Sequence, residues 1–181
     1  MKDKKVIIII SIIVILLILI GGYLIWKSKS NNTESIIKQQ EFSEEDLKIG
    51  EIDYKTSQSQ LIQKLGEAEA KKEHMDGTTG DKIIEYLYNN EKTSYVFRDI
   101  GDGSEAKLSQ VTSTTNKDTF SRNLKIGSTK QEVLQAYPEN TKLGSETKIE
   151  YTKGEKGKEN FTVITYKLKN DIVTEINWTI E

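Results

Sequence analysis

The sequence predicts an α+β protein. An N-terminal transmembrane helix precedes two tandem modules, each with two short helices packed on a three- to four-stranded antiparallel sheet. Three observations carry this. Residues 6–25 form an apolar run broken by Ser11, Gly21 and Gly22. Leu47–Gly50 and Leu124–Gly127 both read LKIG, and each is followed by a capped helical pattern. Ile84-Glu85-Tyr86 and Leu108–Val111 recur, at one common spacing, as Ile149-Glu150-Tyr151 and Val173–Ile176. A repeated supersecondary unit implies a repeated module.

The apolar run reaches roughly 30 Å as a helix at about 1.5 Å per residue, enough for a bilayer's hydrocarbon layer. Lys2, Lys4 and Lys5 precede it, and Tyr23 and Trp26 lie where interfacial aromatics sit. A cleaved signal peptide needs a shorter run, about 7–15 residues, and a small-x-small site. Residues 1–26 are therefore expected to be a cytoplasmic tip and an uncleaved signal anchor in the cell membrane, with contact through 6–25. The positive-inside rule places the remainder outside the cytoplasm. Residues 27–41 are polar apart from Ile36 and Ile37 and read as a tether.

The first repeat is expected over 42–115. Ser43 opens a short helix with acidic residues in its first turn, and Gly50 ends it. Ser57 and Gln60 have capping-box spacing, Leu61, Ile62 and Leu65 form an apolar stripe, and Gly66 is the stop. Strands follow near Ile83–Tyr88, Thr93–Arg98 and Lys107–Thr114. The second repeat is expected over 116–181. Asp118 or Ser121 opens a short helix through Leu124 and Ile126, ended by Gly127. Thr129 and Glu132 cap the next helix, Val133, Leu134 and Tyr137 form its stripe, and Pro138 stops it. Strands follow near Lys148–Thr152, Asn160–Lys169 and Asp171–Ile180. In the last, Ile172, Ile176, Trp178 and Ile180 share one face with Thr174, while Glu175, Asn177 and Thr179 share the other. That alternation describes a sheet with one dry and one wet face.

The lines LKIGSTKQEVLQAYP and LKIG…TSQSQLIQKLGE resemble the G-[ST]-x-x-x-V-x-x-x-[LY]-G-x-P opening of the BamE/SmpA outer-membrane lipoproteins. They are equally similar to the β-lactamase-inhibitor-protein (BLIP-like) fold, in which two such units stand in tandem. The resemblance covers about residues 42–181. It implies a non-enzymatic extracytoplasmic binding module. BLIP-like proteins grip protein partners with the open face of their sheets, and BamE-type proteins join an envelope assembly complex. The chain departs from the pattern in lacking a lipobox cysteine, a proline after Gly66, and Leu-Gly at Tyr137. Its Ile-, Lys- and Asn-rich, Pro-poor composition resembles exported proteins of AT-rich Gram-positive bacteria.

Composition narrows the function further. With no cysteine there are no disulfides, thiolate zinc sites or cysteine nucleophiles. The formal charge of −2 falls on a chain whose N-terminus is basic, so the rest is acidic and offers no field for a phosphate backbone. Nucleic acid is not an expected partner. Asp99-Ile-Gly-Asp102-Gly-Ser-Glu105 supplies carboxylates and glycines that could wrap Ca²⁺, against the plainer reading of Asp102-Gly103 as a strand-to-strand turn. Ser145 and Lys148 match S-x-x-K without its companion motifs, so Lys148 reads as the start of a strand. Gly154–Lys158 lacks the glycine and the hydroxyl of a P-loop and reads as a hairpin. His74 lacks partners at ligand spacing and reads as a solvated loop residue. Tyr86, Phe97 and Trp178 read as core aromatics, with Tyr88 and Tyr166 less clearly placed. The expectation is a binding protein for an envelope partner, with no catalysis and no cofactor. The alternative is a sensor or carrier of a wall polymer, a lipid headgroup or a cation.

Overall fold

A computed structural model gives the protein over residues 41–137, 147–158 and 160–181. After a 3-10 turn at Glu44–Asp46 come a small hairpin of β1 (Lys48–Ile49) and β2 (Ile52–Asp53), then α1 (Gln58–Leu65). Strands β3 (Ala70–Met75), β4 (Lys82–Tyr88), β5 (Thr93–Asp99) and β6 (Lys107–Ser113) follow. A second 3-10 turn (Ser121–Asn123) leads to α2 (Lys130–Ala136), β7 (Lys148–Lys153), β8 (Thr162–Lys169) and β9 (Ile172–Ile180). Strands β3 to β9 form one antiparallel sheet in the order β3-β4-β5-β6-β9-β8-β7.

This corrects the expected pair of helix-on-sheet modules. Strand β6 pairs with β9, placing Val111 opposite Trp178 and Thr112 opposite Asn177, so the two half-sheets merge. Their would-be free edges satisfy each other's backbone groups, and the buried faces of both halves become continuous. The expected boundary at 115/116 falls between β6 and the second 3-10 turn, and the halves it divides share this sheet.

The expected number of α-helices is also corrected, from four to the two described here. The LKIG stretches are extended or turned. Leu47 and Ile49 are buried with Lys48 exposed between them, a period of two that reads like a fragment of helix when so short. Ile49 bridges Phe120, and the Gly50 N–H donates to the Thr119 carbonyl at 2.9 Å. In the second copy the Gly127 N–H donates to the Val173 carbonyl at 2.9 Å. Asp118 opens no helix. Its carboxylate accepts from the Thr93 and Ser113 hydroxyls at 2.6 and 2.7 Å, tying the connection between the halves to the sheet.

The membrane helix expected over 6–25 lies outside the described residues, as do 27–40 of the tether. Among the described residues no helix is long and apolar enough to cross a membrane. Helices α1 and α2 reach only about 10–12 Å. The expected transmembrane, single-pass, extracytoplasmic placement therefore has no support among the described residues.

The two α-helices begin as their sequences dictate. Ser57 Oγ accepts from Gln60 N at 3.3 Å while Gln60 Oε1 accepts from Ser57 N at 3.0 Å. Thr129 and Glu132 reproduce the box at 3.2 and 2.6 Å. Each helix buries its central apolar residue, Leu61 or Val133, against the sheet. Leu65, the end of the expected stripe, instead stands 42% exposed. The position of Pro138 lies outside the described residues.

The core fills the space between these helices and one face of the sheet, with Ile84, Tyr86, Phe97, Val111, Ile164, Ile176 and Trp178 at its centre. Tyr88 and Tyr166 belong to it as well. Tyrosine hydroxyls tie each helix down. Tyr86 donates to Gln58 Oε1 at 2.8 Å, Tyr88 to the Gly66 carbonyl at 2.9 Å, and Tyr151 to the Val133 carbonyl at 3.3 Å.

Both copies of the repeated strand motif encode a β-bulge. Between Val96 and Phe97 the register skips Ser109, whose hydroxyl donates to the Val96 carbonyl at 3.2 Å. Between Lys167 and Leu168 it skips Thr174, whose hydroxyl donates to the Lys167 carbonyl at 3.3 Å. An extra residue reverses which side chains face the core. Hence Val173 is buried and Ile172 is 38% exposed, although unbroken alternation from Trp178 puts Ile172 inside.

Strand β3 has no alternation to reveal it, because Lys71–Met75 are all exposed. On it, Glu73 is gripped by Lys71 at 2.6 Å and Lys82 at 2.7 Å. These hydrogen-bonded ammonium groups pull its carboxyl from 4.5 to about 2. A depressed folded-state value contributes stability above the unfolded value that is lost as pH falls through the folded one. The Glu73 contribution is thus expected to fade from about pH 4.5 to about 2. Carboxyl NMR should show the low midpoint, and Lys82→Ala should raise it.

Candidate functional site

The face opposite the core is covered by no helix among the described residues. Alternation places Ile83, Glu85, Ser94, Val96, Gln110, Thr112, Asn177, Thr179 and Thr165 on it, since their chain neighbours point into the core. Its side chains hold one another in place. Asn177 Nδ2 donates to Thr112 Oγ1 at 2.7 Å, and Thr179 Oγ1 to Asn177 Oδ1 at 3.2 Å. Ser94 Oγ donates to Glu85 Oε1 at 2.6 Å, and Thr165 Oγ1 to Glu150 Oε1 at 3.1 Å. At one end Arg98 pairs with Asp81 and donates to Thr79 Oγ1 at 3.2 Å.

The Thr112–Asn177 pair marks the centre of the repeat. These two residues occupy equivalent places after the matched bulge motifs, and they stand directly opposite each other. The two halves are therefore related by an approximate two-fold axis through this pair. Toward the β3 side the face sinks into a depression of about 390 Å³ lined by His74, Ile83, Glu85, Val96, Arg98 and Gln110 among others. Half-buried apolar side chains alternate there with both signs of charge.

Asp99, Asp102 and Glu105 lie at the β5–β6 hairpin. Asp99 Oδ1 accepts from Gly101 N at 2.9 Å and Asp102 Oδ1 from Ser104 N at 2.8 Å. Hydrogen bonds from the Ser104 side chain and backbone hold the Asp102 carboxyl below its ordinary value. The Asp99 and Asp102 carboxylates thus cap their own turns. Among the described residues no group of three or more His, Cys, Asp or Glu is placed to hold a metal ion.

His74 sits on strand β3 rather than in a loop, and its exposed ring borders the depression. Lys148 begins β7 and pairs with Glu150 at 2.5 Å, while Ser145 lies outside the described residues. Gly154–Lys158 belongs to the β7–β8 hairpin. There Gly154 adopts φ 85°, and a Cβ on it would meet the Asn160 carbonyl at 2.8 Å.

One feature escaped sequence reasoning. Arg122, at φ 57°, forms a two-pronged ion pair with Asp46, Nε to Oδ1 at 2.8 Å and Nη2 to Oδ2 at 2.7 Å. Its guanidinium lies over the Tyr137 ring, 3.8 Å from the centroid. A signal existed, since the repeat extends upstream to Phe42-Ser43 and Phe120-Ser121. That extension brings the two 3-10 turns into correspondence. Comparison with protein-family models, curated proteins and solved structures finds no match in any of the three.

Proposed function

We propose that the domain is a protein-binding module without catalysis, and that it grips its partner with the open face of the seven-stranded sheet. The observation supporting this is the uncovered face itself. Its polar side chains are already fixed by mutual hydrogen bonds, and Ile83 and Val96 stand half-exposed among them. A surface ordered before binding loses less side-chain entropy on association. Apolar contacts within a polar surround match the make-up of protein interfaces.

Affinity capture with the full chain as bait tests the reading. One protein recovered in stoichiometric amount should disappear with Val96→Arg and with Thr179→Arg. It should persist with Leu65→Arg, which alters the helix side. Capture that survives both open-face substitutions would remove this face from the binding role.

A further inference from the structure

We infer that the outer edge of β7 is a docking site for an extended segment of another protein, which adds to the sheet as an eighth, antiparallel strand. The approximate two-fold relation supplies the comparison. Strand β4 is flanked by β3, whereas among the described residues no strand flanks its counterpart β7.

The backbone geometry agrees in both halves. The Asp76 N–H donates to the Asp81 carbonyl at 2.8 Å, just beyond the Met75–Lys82 pair. Alternation along an antiparallel ladder then turns the backbone groups of Ile83, Glu85 and Leu87 toward β3. In the second half the Leu168 N–H donates to the Thr147 carbonyl at 2.7 Å, just beyond the Lys148–Lys167 pair. The same alternation turns Ile149, Tyr151 and Lys153 toward β8, and Lys148, Glu150 and Thr152 outward. The repeat maps Ile83, Glu85 and Leu87 onto those three outward residues. The backbone positions that hold β3 in the first half thus face outward in the second.

The side chains there suit reversible occupation. Leu87, covered in the first half, is 4% exposed. Its counterpart Thr152 is exposed, and Lys148 replaces Ile83. A polar edge with a lysine at each end tolerates water and resists indiscriminate pairing. It therefore selects its strand by charge. In β3 the residue opposite Glu85 is Lys72. The incoming strand by analogy carries a basic residue opposite Glu150. Two positions further along, opposite Lys148, it carries an acidic one.

The probe is a synthetic peptide with the sequence of residues 69–76, the segment that already pairs with the equivalent edge, but with glutamate in place of His74 to face Lys148, added to the full chain. Amide exchange is followed residue by residue. In the free chain the Lys148, Glu150 and Thr152 amides should exchange much faster than those of Ile149 and Tyr151. Peptide at about ten times its Kd should slow the outward three about ten-fold. A peptide with proline in place of Lys72 should not.

Thr152→Pro removes an outward donor while sparing the β7–β8 bonds, as proline on an edge strand can. It should keep the urea midpoint near that of the parent and lose the peptide effect. Outward amides already protected in the free chain would overturn the proposal, because the edge would be occupied by the chain itself. So would an unchanged exchange pattern with peptide, or peptide binding that survives Thr152→Pro. Val96→Arg, on the open face, should leave the peptide effect intact, so the two surfaces can fail separately.

Discussion

Arg122→Ala is expected to destabilise the domain by about 3–5 kcal/mol, the usual cost of removing one partner from a buried ion pair. The side chains of Arg122 and Asp46 are only 18% and 8% exposed. Asp46 would be left with its capping bond from Ser43 N, at 3.0 Å, and an uncompensated charge. More is lost than the pair. Arg122 Nη1 donates to the Ala136 carbonyl at the end of α2, and Nη2 to the Glu41 carbonyl at 3.0 Å. The cation also leaves the face of Tyr137, which stacks on Tyr151 at 4.2 Å. Urea unfolding measures the loss. Arg122→Lys should recover little of it, since an ammonium cannot reproduce the two-pronged geometry. A double-mutant cycle with Asp46→Ala should show strong coupling. Additive losses would mean that the pair contributes little and that packing carries the effect.

Trp178→Ala is expected to cost a comparable 3–5 kcal/mol, the range for emptying a large aromatic site in a core. Trp178 is fully buried and lies opposite Val111 on β6 and Ile164 on β8, at the seam of the two halves. The cavity would therefore open beneath both. Its Nε1 finds no acceptor among the described residues, so Trp178→Phe forfeits no hydrogen bond and should cost clearly less. The distinguishing readout is cooperativity. Tyrosine-ring signals from the first half (Tyr86, Tyr95) and the second (Tyr151, Tyr166) should melt together in Trp178→Ala, at a lower denaturant concentration. Two separated transitions, with the first half unmoved, would show that the merged sheet does not unfold as one unit.

Much of this architecture was legible locally. Helices α1 and α2 begin where Ser57 and Thr129 announce them, because a capping box is completed within four residues. The repeated strand motifs became strands for the same reason, and the alternation around Trp178 identified the buried face. The open face followed as its complement. What could not be read was set by partners distant in sequence. Leu47–Ile49 alternates because Phe120 bridges it, and Ile172 is exposed because a bulge at Thr174 shifts the phase. Strand β3 left no apolar signature because its pairing to β4 rests on backbone bonds, which every sequence carries.

The sequence by itself determined that there are two related halves, where their helices start, and which residues form the core face of each strand near its centre. Only the tertiary structure decided that the halves share one sheet. Pairing of β6 with β9, like the contact of Arg122 with Asp46, joins residues more than sixty positions apart. Such contacts depend on how finished surfaces complement each other, and no local pattern of residues records that.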